Sequence, residues 1–302
     1  MTNTIIIWQF CDLKPGHENQ SKGLIQAIKS RVSADSHRII VPSSLLSFLF
    51  SLFTGSLYRQ LAQLPKPSHL IAAGRRTHLP MLLAHLWFGG RRIVLMRSLW
   101  PKNWFDHMII PAHDAPKDRH NIFTTQGVIN NIIPSVNHNS HSGMLLIGGP
   151  SKHYHWDTDA VISQLSEIIS ATPEISWQLA NSRRTPADFF DKFGSILPQS
   201  QLIDYNSVDS GWLASQLAVT GQIWVSPDSV SMVYESLTSG ALVGSLLLEE
   251  SQTNNRVVKG IDMLIDQNML TSFEQWQTTH TLSPPSHRLY EAQQAADWIL
   301  NQ

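Results

Sequence analysis

The chain has 302 residues, 42% of them hydrophobic and 15% charged, with one cysteine and a formal net charge of −1. That composition excludes a disordered or low-complexity chain, and a lone Cys11 excludes a disulfide framework or a cysteine-built zinc site and suits a reducing, cytoplasmic setting. The small net charge hides an asymmetry: residues 1–140 carry 15 Lys and Arg against 6 Asp and Glu, and residues 141–302 carry 7 against 17.

In chain order, residues 5–10 read as a strand and 19–31 as a helix with Leu24, Ile25 and Ile28 on one face. The chain enters that first strand directly, without a basic region ahead of an apolar run, which predicts no secretory signal. Residues 38–41 and 69–73 read as strands, 80–88 as a helix, and 92–96 and 107–110 as strands. The apolar stretch 43–53 is too short to span a bilayer. It reads either as a buried helix or as an exposed patch that docks on a membrane beside the basic residues. Residues 134–143 are polar and bounded by Pro134 and Gly143, and the charge balance reverses there. This predicts a linker, with an N-terminal domain over 1–138 and a C-terminal domain over 139–302. Beyond it, strands are expected at 144–147, 176–180, 222–225 and 241–247, and helices at 157–171, 186–193 and 229–238. A last helix at 286–300 is a candidate to pack back on the N-terminal domain. Alternating strands and helices with continuously apolar strands predict an α/β protein of two doubly wound, Rossmann-like domains facing a cleft.

Ligands of open parallel sheets bind where strand ends meet helix N-termini, so the residues after each strand are the informative ones. After the first strand come Asp12, Lys14, Pro15, Gly16, His17, Glu18, Asn19 and Gln20. His17 or Asp12 is a candidate general base, with Glu18 a third candidate for the reacting group, and Gly16, Asn19 and Gln20 are candidate contacts. After the strand at 69–73, Gly74 permits a tight turn, and Arg75 and Arg76 are planar forks suited to phosphate or carboxylate. The second half opens with a strand and then Gly148 and Gly149, which let backbone approach a ligand. Arg183 and Arg184 precede an expected helix at Pro186, capped by Ser182 or Thr185. Cations at that position oppose the helix dipole and so suggest a bound anion. Asp228, Ser229, Ser231 and Met232 form a polar turn into a helix, and Glu235 lies one to two turns in, placed for a ribose diol. The simpler reading of each is an ordinary cap, a solvated loop or a surface ion pair. The 14 histidines match no closed zinc spacing, so no metal is expected.

Trp8 with Lys14 to Gln20, Gly74 to Thr77, Ser182 to Pro186 and Asp228 to Glu235 together resemble the Elm family. That family is named for a plant mitochondrial-fission protein and has many bacterial members. Some are labelled nucleotide-sugar epimerases, but this chain has no GxGxxG near its N-terminus and no Tyr-x-x-x-Lys. More distantly, it is similar to GT-B glycosyltransferases of the type that adds GlcNAc to a lipid-linked peptidoglycan precursor. Pro15-Gly16-His17 looks like the end of their Gly-rich loop, although this loop has one glycine where theirs has several. The resemblance implies a metal-independent glycosyltransferase without a cofactor, taking a nucleotide-diphosphate sugar as donor. A lipid-linked or lipopolysaccharide-type acceptor, no nucleic acid, and a cytoplasmic location, peripheral on the inner membrane, go with it. The alternatives are a non-catalytic GT-B-like adaptor and a nucleotide-sugar epimerase.

Overall fold

The computed structural model describes residues 4–194, 196–198, 201–209, 211–251 and 255–302. The chain divides into two compact units, one of residues 1–131 with 291–302 and the other of residues 132–290.

The first unit is built on a six-stranded, all-parallel sheet. Its strands are β1 (Ile5–Cys11), β2 (Ala34–Ile40), β3 (His69–Ala73), β4 (Arg91–Leu95), β5 (His107–Pro111) and β6 (Ile122–Thr125). Their order is β2-β1-β3-β4-β5-β6. Every residue of β3 and β5 is buried, as expected of strands covered on both faces. One face packs Trp8, Phe10, Leu70, Val94 and Met108 beneath helices α2 (Leu45–Phe53), α3 (Ser56–Ala62) and α4 (Arg75–Phe88). The other carries α1 (Pro15–Arg31) with α11 (Glu291–Leu300) alongside it. Arg31 and Asp297 join these two helices at 2.7 and 2.8 Å. The Glu291 carboxylate accepts from the Gln126 N–H. Gly23 of α1 permits close approach, since a Cβ there would lie 1.9 Å from the Asn130 carbonyl oxygen.

The second unit has strands β7 (Asn139–Leu146), β8 (Ser176–Ala180), β9 (Leu202–Ile203), β10 (Thr220–Val225), β11 (Leu242–Ser245) and β12 (Thr271–Ser272). They are all parallel in the order β12-β11-β10-β7-β8-β9. Between them run α5 (Thr158–Ala171), α6 (Phe189–Phe193), α7 (Trp212–Leu217), α8 (Val230–Ser239), α9 (Arg256–Asp266) and α10 (Phe273–Thr279). Both faces are apolar: Leu145, Leu179 and Trp224 pack on one, and Leu146, Ile223, Val225 and Val233 on the other.

Several boundaries differ from the sequence reading. Helix α1 starts at Pro15 rather than 19, because Pro at the first helical position loses no bond that a helix could use there. Helix α4 starts at Arg75 rather than 80; Gly74, at φ +91°, turns the chain into it, and Pro80 lies inside. Strand β7 takes in the polar residues 139–143, because parallel pairing to β10, with Asn139 opposite Thr220 and Gly143 opposite Gln222, overrides their composition. Helix α6 begins at Phe189 rather than 186, and Ser182 and Thr185 do not cap it. The last helix begins at Glu291 rather than 286. Helix α2 buries Phe48 but leaves Leu45, Leu46, Leu49, Phe50 and Phe53 outward, so it has an exposed apolar stripe as well as a buried face. No helix among the described residues is long and apolar enough to cross a membrane.

Candidate functional site

The first sheet reverses direction between β1 and β3, since the chain adds β2 on one side and β3 on the other. The loops leaving such neighbouring strands diverge and open a crevice. A cavity of about 720 Å³ lies there, lined by Asp12, Lys14, His17, Arg75, Arg76 and Arg97 among others. Its walls include the first turns of α1 and α4. Neither helix has a side-chain cap; Pro15 has no N–H and the Thr77 N–H bonds the Gly74 carbonyl at 3.1 Å, so the N–H groups of Gly16, His17, Arg75 and Arg76 are the first-turn donors an anion can use.

Asp12 and His17 form a pair at the cavity wall. The Asp12 carboxylate, 1% exposed, sits 2.9 and 3.0 Å from His17 Nδ1 and also accepts from the Lys14 N–H. A carboxylate at Nδ1 fixes that nitrogen as the donor, which leaves Nε2 as the lone-pair nitrogen of the neutral ring. Gly74 is required twice over: its φ is +91°, and a Cβ would fall 2.3 Å from His17 Nδ1. Gly16 is different, because a Cβ there would meet nothing within 4 Å. Leu13 and Met96, in the loops after β1 and β4, hold φ of +63° and +69°. Left-handed backbone at non-glycine residues is costly and clusters at binding sites, and Met96 itself lines the cavity.

The other candidates of this segment are placed elsewhere. Glu18 does not line the cavity: Arg38 holds its carboxylate at 2.7 and 2.9 Å, a partner from β2 that no local pattern reveals. Gln20 is buried with its amide on the Met96 sulfur, 3.4 Å away, so it supports the cavity wall from behind. Asn19 is half-buried on α1. His78, buried one turn into α4, bonds Ser98 at 3.1 Å, and burial pushes its imidazole down to about 4. Cys11 is buried, and burial pushes its thiol up.

In the second unit the direction reverses between β7 and β10, and the loops after them interlock. The Gly148 N–H donates to Ser226 Oγ at 2.7 Å and the Gly149 N–H to the Asp228 carboxylate at 3.0 Å. Side chains at these glycines have no room: a Cβ at Gly148 would lie 2.2 Å from the Asp228 carboxylate, and one at Gly149 would lie 1.9 Å from the Arg184 carbonyl oxygen. Asp228 pairs with the Arg184 guanidinium at 2.7 Å. Burial raises its carboxyl above the ordinary value, against hydrogen bonds from Ser226 and the Gly149 N–H and the Arg184 charge. Arg184 further donates to the Gly149 and Asp228 carbonyls. It is therefore a brace of the loop, already engaged, whereas the Arg183 side chain, likewise exposed, makes no ion pair or hydrogen bond among the described residues. Ser182 and Thr185 donate to the Gly148 and Ile147 carbonyls.

The brace holds the start of α8. Ser229 stands at its N-cap without a side-chain bond, Ser231 is exposed and Met232 half-buried. Glu235 is 9% exposed, makes no hydrogen bond or ion pair with any described residue, and burial pushes its carboxyl up to about 7. A raised carboxyl leaves the fold unaffected below the ordinary carboxylate range; stability is lost as pH rises from that range through about 7, and the loss is complete above it. Glu235→Gln is therefore expected to raise Tm at pH 8 and to leave it nearly unchanged at pH 4.5, read by scanning calorimetry.

Beside α8 the structure adds what the motifs did not disclose. An apolar cavity of about 200 Å³ is lined by Ile203, Tyr205, Trp212 and Met232, with Arg183 at its rim. A second, of about 350 Å³, runs past Asn181, Arg183 and Tyr205. Ile203 belongs to the two-residue strand β9, Tyr205 to the turn after it and Trp212 to the short helix α7, segments with too little periodicity to be read in sequence. Among the described residues, no group of three or more His, Cys, Asp or Glu is placed to hold a metal.

Two doubly wound parallel domains in one chain, each with its candidate site at a sheet reversal, define a GT-B-like protein. The family model described as mitochondrial fission ELM1 matches residues 15–302, and the chain belongs to that family. Uncharacterized protein RP120 of Rickettsia prowazekii (strain Madrid E) is 24% identical over 287 residues, covering 78% of this chain and 81% of its own length. Among solved structures, the chain is similar to a UDP-GlcNAc 2-epimerase of Methanocaldococcus jannaschii at 10% identity and a TM-score of 0.61, covering 99% of this chain and 100% of that one. It is similar to MurG of Acinetobacter baumannii at 12% identity and a TM-score of 0.54, covering 99% and 100%. A UDP-GlcNAc 2-epimerase of Neisseria meningitidis, bound to UDP-GlcNAc, matches at 9% identity and a TM-score of 0.53, covering 99% of each chain.

Proposed function

We propose that the protein is a metal-independent glycosyltransferase that takes a nucleotide-diphosphate sugar as donor. The observation that carries this reading is Glu235, a buried carboxylate without a partner among the described residues, behind an uncapped helix start. A ribose diol supplies the two donors that such a carboxylate lacks. The apolar cavity at Tyr205, Trp212 and Met232 suits a nucleobase. The free N–H groups of α8, the Ser229 and Ser231 hydroxyls and Arg183 suit the diphosphate. Gly148, Gly149, Arg184 and Asp228 act indirectly, by holding the loop in shape. A solved neighbour carrying UDP-GlcNAc supports the same ligand class.

In this reading His17 Nε2 takes the proton of an acceptor hydroxyl, and Asp12 keeps the ring in the required tautomer. The acceptor oxygen bonds to the anomeric carbon. The bond from that carbon to the phosphate oxygen breaks, and its electron pair leaves with the nucleoside diphosphate. Fixed positive charge at Arg183 and the α8 N-terminus stabilises the departing group. No cofactor enters. Incubation with a panel of nucleotide sugars and a cell-envelope acceptor is expected to give an acceptor-dependent glycoside. An altered sugar formed without acceptor would assign the site to epimerisation, and unchanged donor throughout would support the adaptor reading.

Binding by the ribose diol favours the charged Glu235, so a proton must leave when nucleotide binds below pH 7. Nucleotide affinity is expected to rise between pH 6 and 8 in the native protein and to be flat in Glu235→Gln, measured by titration calorimetry. Membrane contact belongs to the same proposal. Besides the outward stripe of α2, Tyr58 of α3 and Trp87 of α4 are exposed and meet edge to face, and no Asp or Glu occurs between Asp35 and Asp106. An apolar face in an acid-free surface suits an anionic bilayer. Leu46→Glu with Phe53→Glu, at residues 79% and 91% exposed, is expected to abolish sedimentation with phosphatidylglycerol vesicles at unchanged Tm. Equal sedimentation would refute the contact.

A further inference from the structure

The cavity between β1 and β3 holds more positive charge than a neutral sugar acceptor would need. Lys14, Arg75, Arg76 and Arg97 all line it, and all four are exposed. None forms an ion pair or side-chain hydrogen bond among the described residues, whereas Arg31, Arg38, Arg92 and Arg184 all have carboxylate partners. The cavity's own carboxylates do not neutralise these cations: Asp12 is turned to His17, and Asp114 is a single charge. Like charges gathered without counter-charge repel one another and lower stability, so they are retained where a ligand supplies the opposite charge. The open backbone at Gly16 and the uncapped first turns of α1 and α4 add N–H donors to the same cavity. Its volume of about 720 Å³ is large enough for a phosphorylated sugar, not an isolated ion alone.

We infer that this cavity binds a phosphoryl or diphosphoryl group carried by the acceptor, held by Lys14, Arg75, Arg76 and Arg97, so that an acceptor hydroxyl is presented to His17. That the bound molecule is an acceptor rests on the transferase reading; that it is a phosphate ester does not. The Arg75 and Arg76 guanidiniums clamp phosphate oxygens as forks, and Lys14 and Arg97 act as further charges around them. The phosphate has two possible carriers, an isoprenoid diphosphate or a sugar phosphate, with the same anionic chemistry.

The test titrates the full chain with inorganic pyrophosphate, geranyl diphosphate, glucosamine 1-phosphate and, separately, UDP. Amide hydrogen exchange locates each ligand. Pyrophosphate is expected to protect residues 14–18 and 75–77, and Arg75→Gln with Arg76→Gln is expected to weaken it by at least about tenfold, the equivalent of about 1.4 kcal/mol. Lys117→Gln, outside the cavity, is expected to leave binding unchanged and so to separate the site from general basicity. Lys14→Glu gives a second, independent loss. Whichever organic phosphate binds more tightly than pyrophosphate while keeping that arginine dependence supports the site and names the carrier. Pyrophosphate affinity that is unchanged in the double variant, or protection confined to residues 226–235, would overturn the inference. UDP binding that survives in the double variant while pyrophosphate binding never appears would overturn it and leave the donor site standing. The reverse, arginine-dependent pyrophosphate binding without any nucleotide binding, would support it and reject the transferase reading.

Discussion

His17→Gln is expected to lower the rate of acceptor glycosylation by about 10²–10⁴-fold while leaving the fold and nucleotide affinity intact. The side chain sits at a cavity wall and is partly exposed, so its loss opens no hole in a core. Glutamine retains a polar contact to Asp12 but has no basic nitrogen. Steady-state kinetics would show the loss in kcat, with the donor KM unchanged, because the proton moves only in the transition state. Asp12→Asn makes a sharper companion. An amide can present its N–H to Nδ1, which favours the tautomer with the proton on Nε2 and removes the basic lone pair from the cavity side. That variant is expected to lose nearly as much rate as His17→Gln. Full activity in both variants would remove this pair from the chemistry.

The largest effect on stability is expected from Gly149→Ala. Its new Cβ would lie 1.9 Å from the Arg184 carbonyl oxygen and 2.8 Å from the Thr185 amide nitrogen. Both are backbone atoms, so no side-chain rotation relieves the overlap. The β7 and β8 loops would have to part, breaking the Gly149 N–H bond to Asp228 and the Arg184 contacts that depend on it. Overpacking of this kind costs about 1–3 kcal/mol before any lost hydrogen bond is counted, and a Tm drop of about 2–12 °C follows for a unit of this size. Gly16→Ala, where nothing lies within 4 Å, is expected to leave Tm nearly unchanged, so the pair separates a packed glycine from an open one. A Gly149→Ala protein with native Tm would mean that the loops do not interlock as described.

The alternating apolar strands made the two-sheet α/β architecture legible, and the turn residues after β1, β3, β7 and β10 drew attention to the strand ends that flank both reversals. Local chemistry carries that far, because a strand, a Gly or Pro turn and a helix start leave marks within ten residues. It fails where a partner comes from far along the chain. Glu18 looks reactive in sequence, yet Arg38 holds it. Arg183 and Arg184 look equivalent as neighbours, yet only Arg184 finds Asp228, 44 residues on. Pro80 reads as the start of helix α4, although Gly74 already turns the chain into it five residues earlier at Arg75. The aromatic cavity leaves no mark in the sequence, because Tyr205 stands in a turn after the two-residue β9 and Trp212 in a six-residue helix, segments too short for any period.

The central claim is that the second unit holds a nucleotide-diphosphate sugar through Glu235. Thermal stabilisation by UDP-, GDP-, CMP- and ADP-sugars, measured on the native protein and on Glu235→Ala, tests it most directly. The account predicts that at least one nucleotide sugar raises Tm of the native protein and that the shift is lost in the variant. No shift with any of them, or an equal shift in Glu235→Ala, would contradict it.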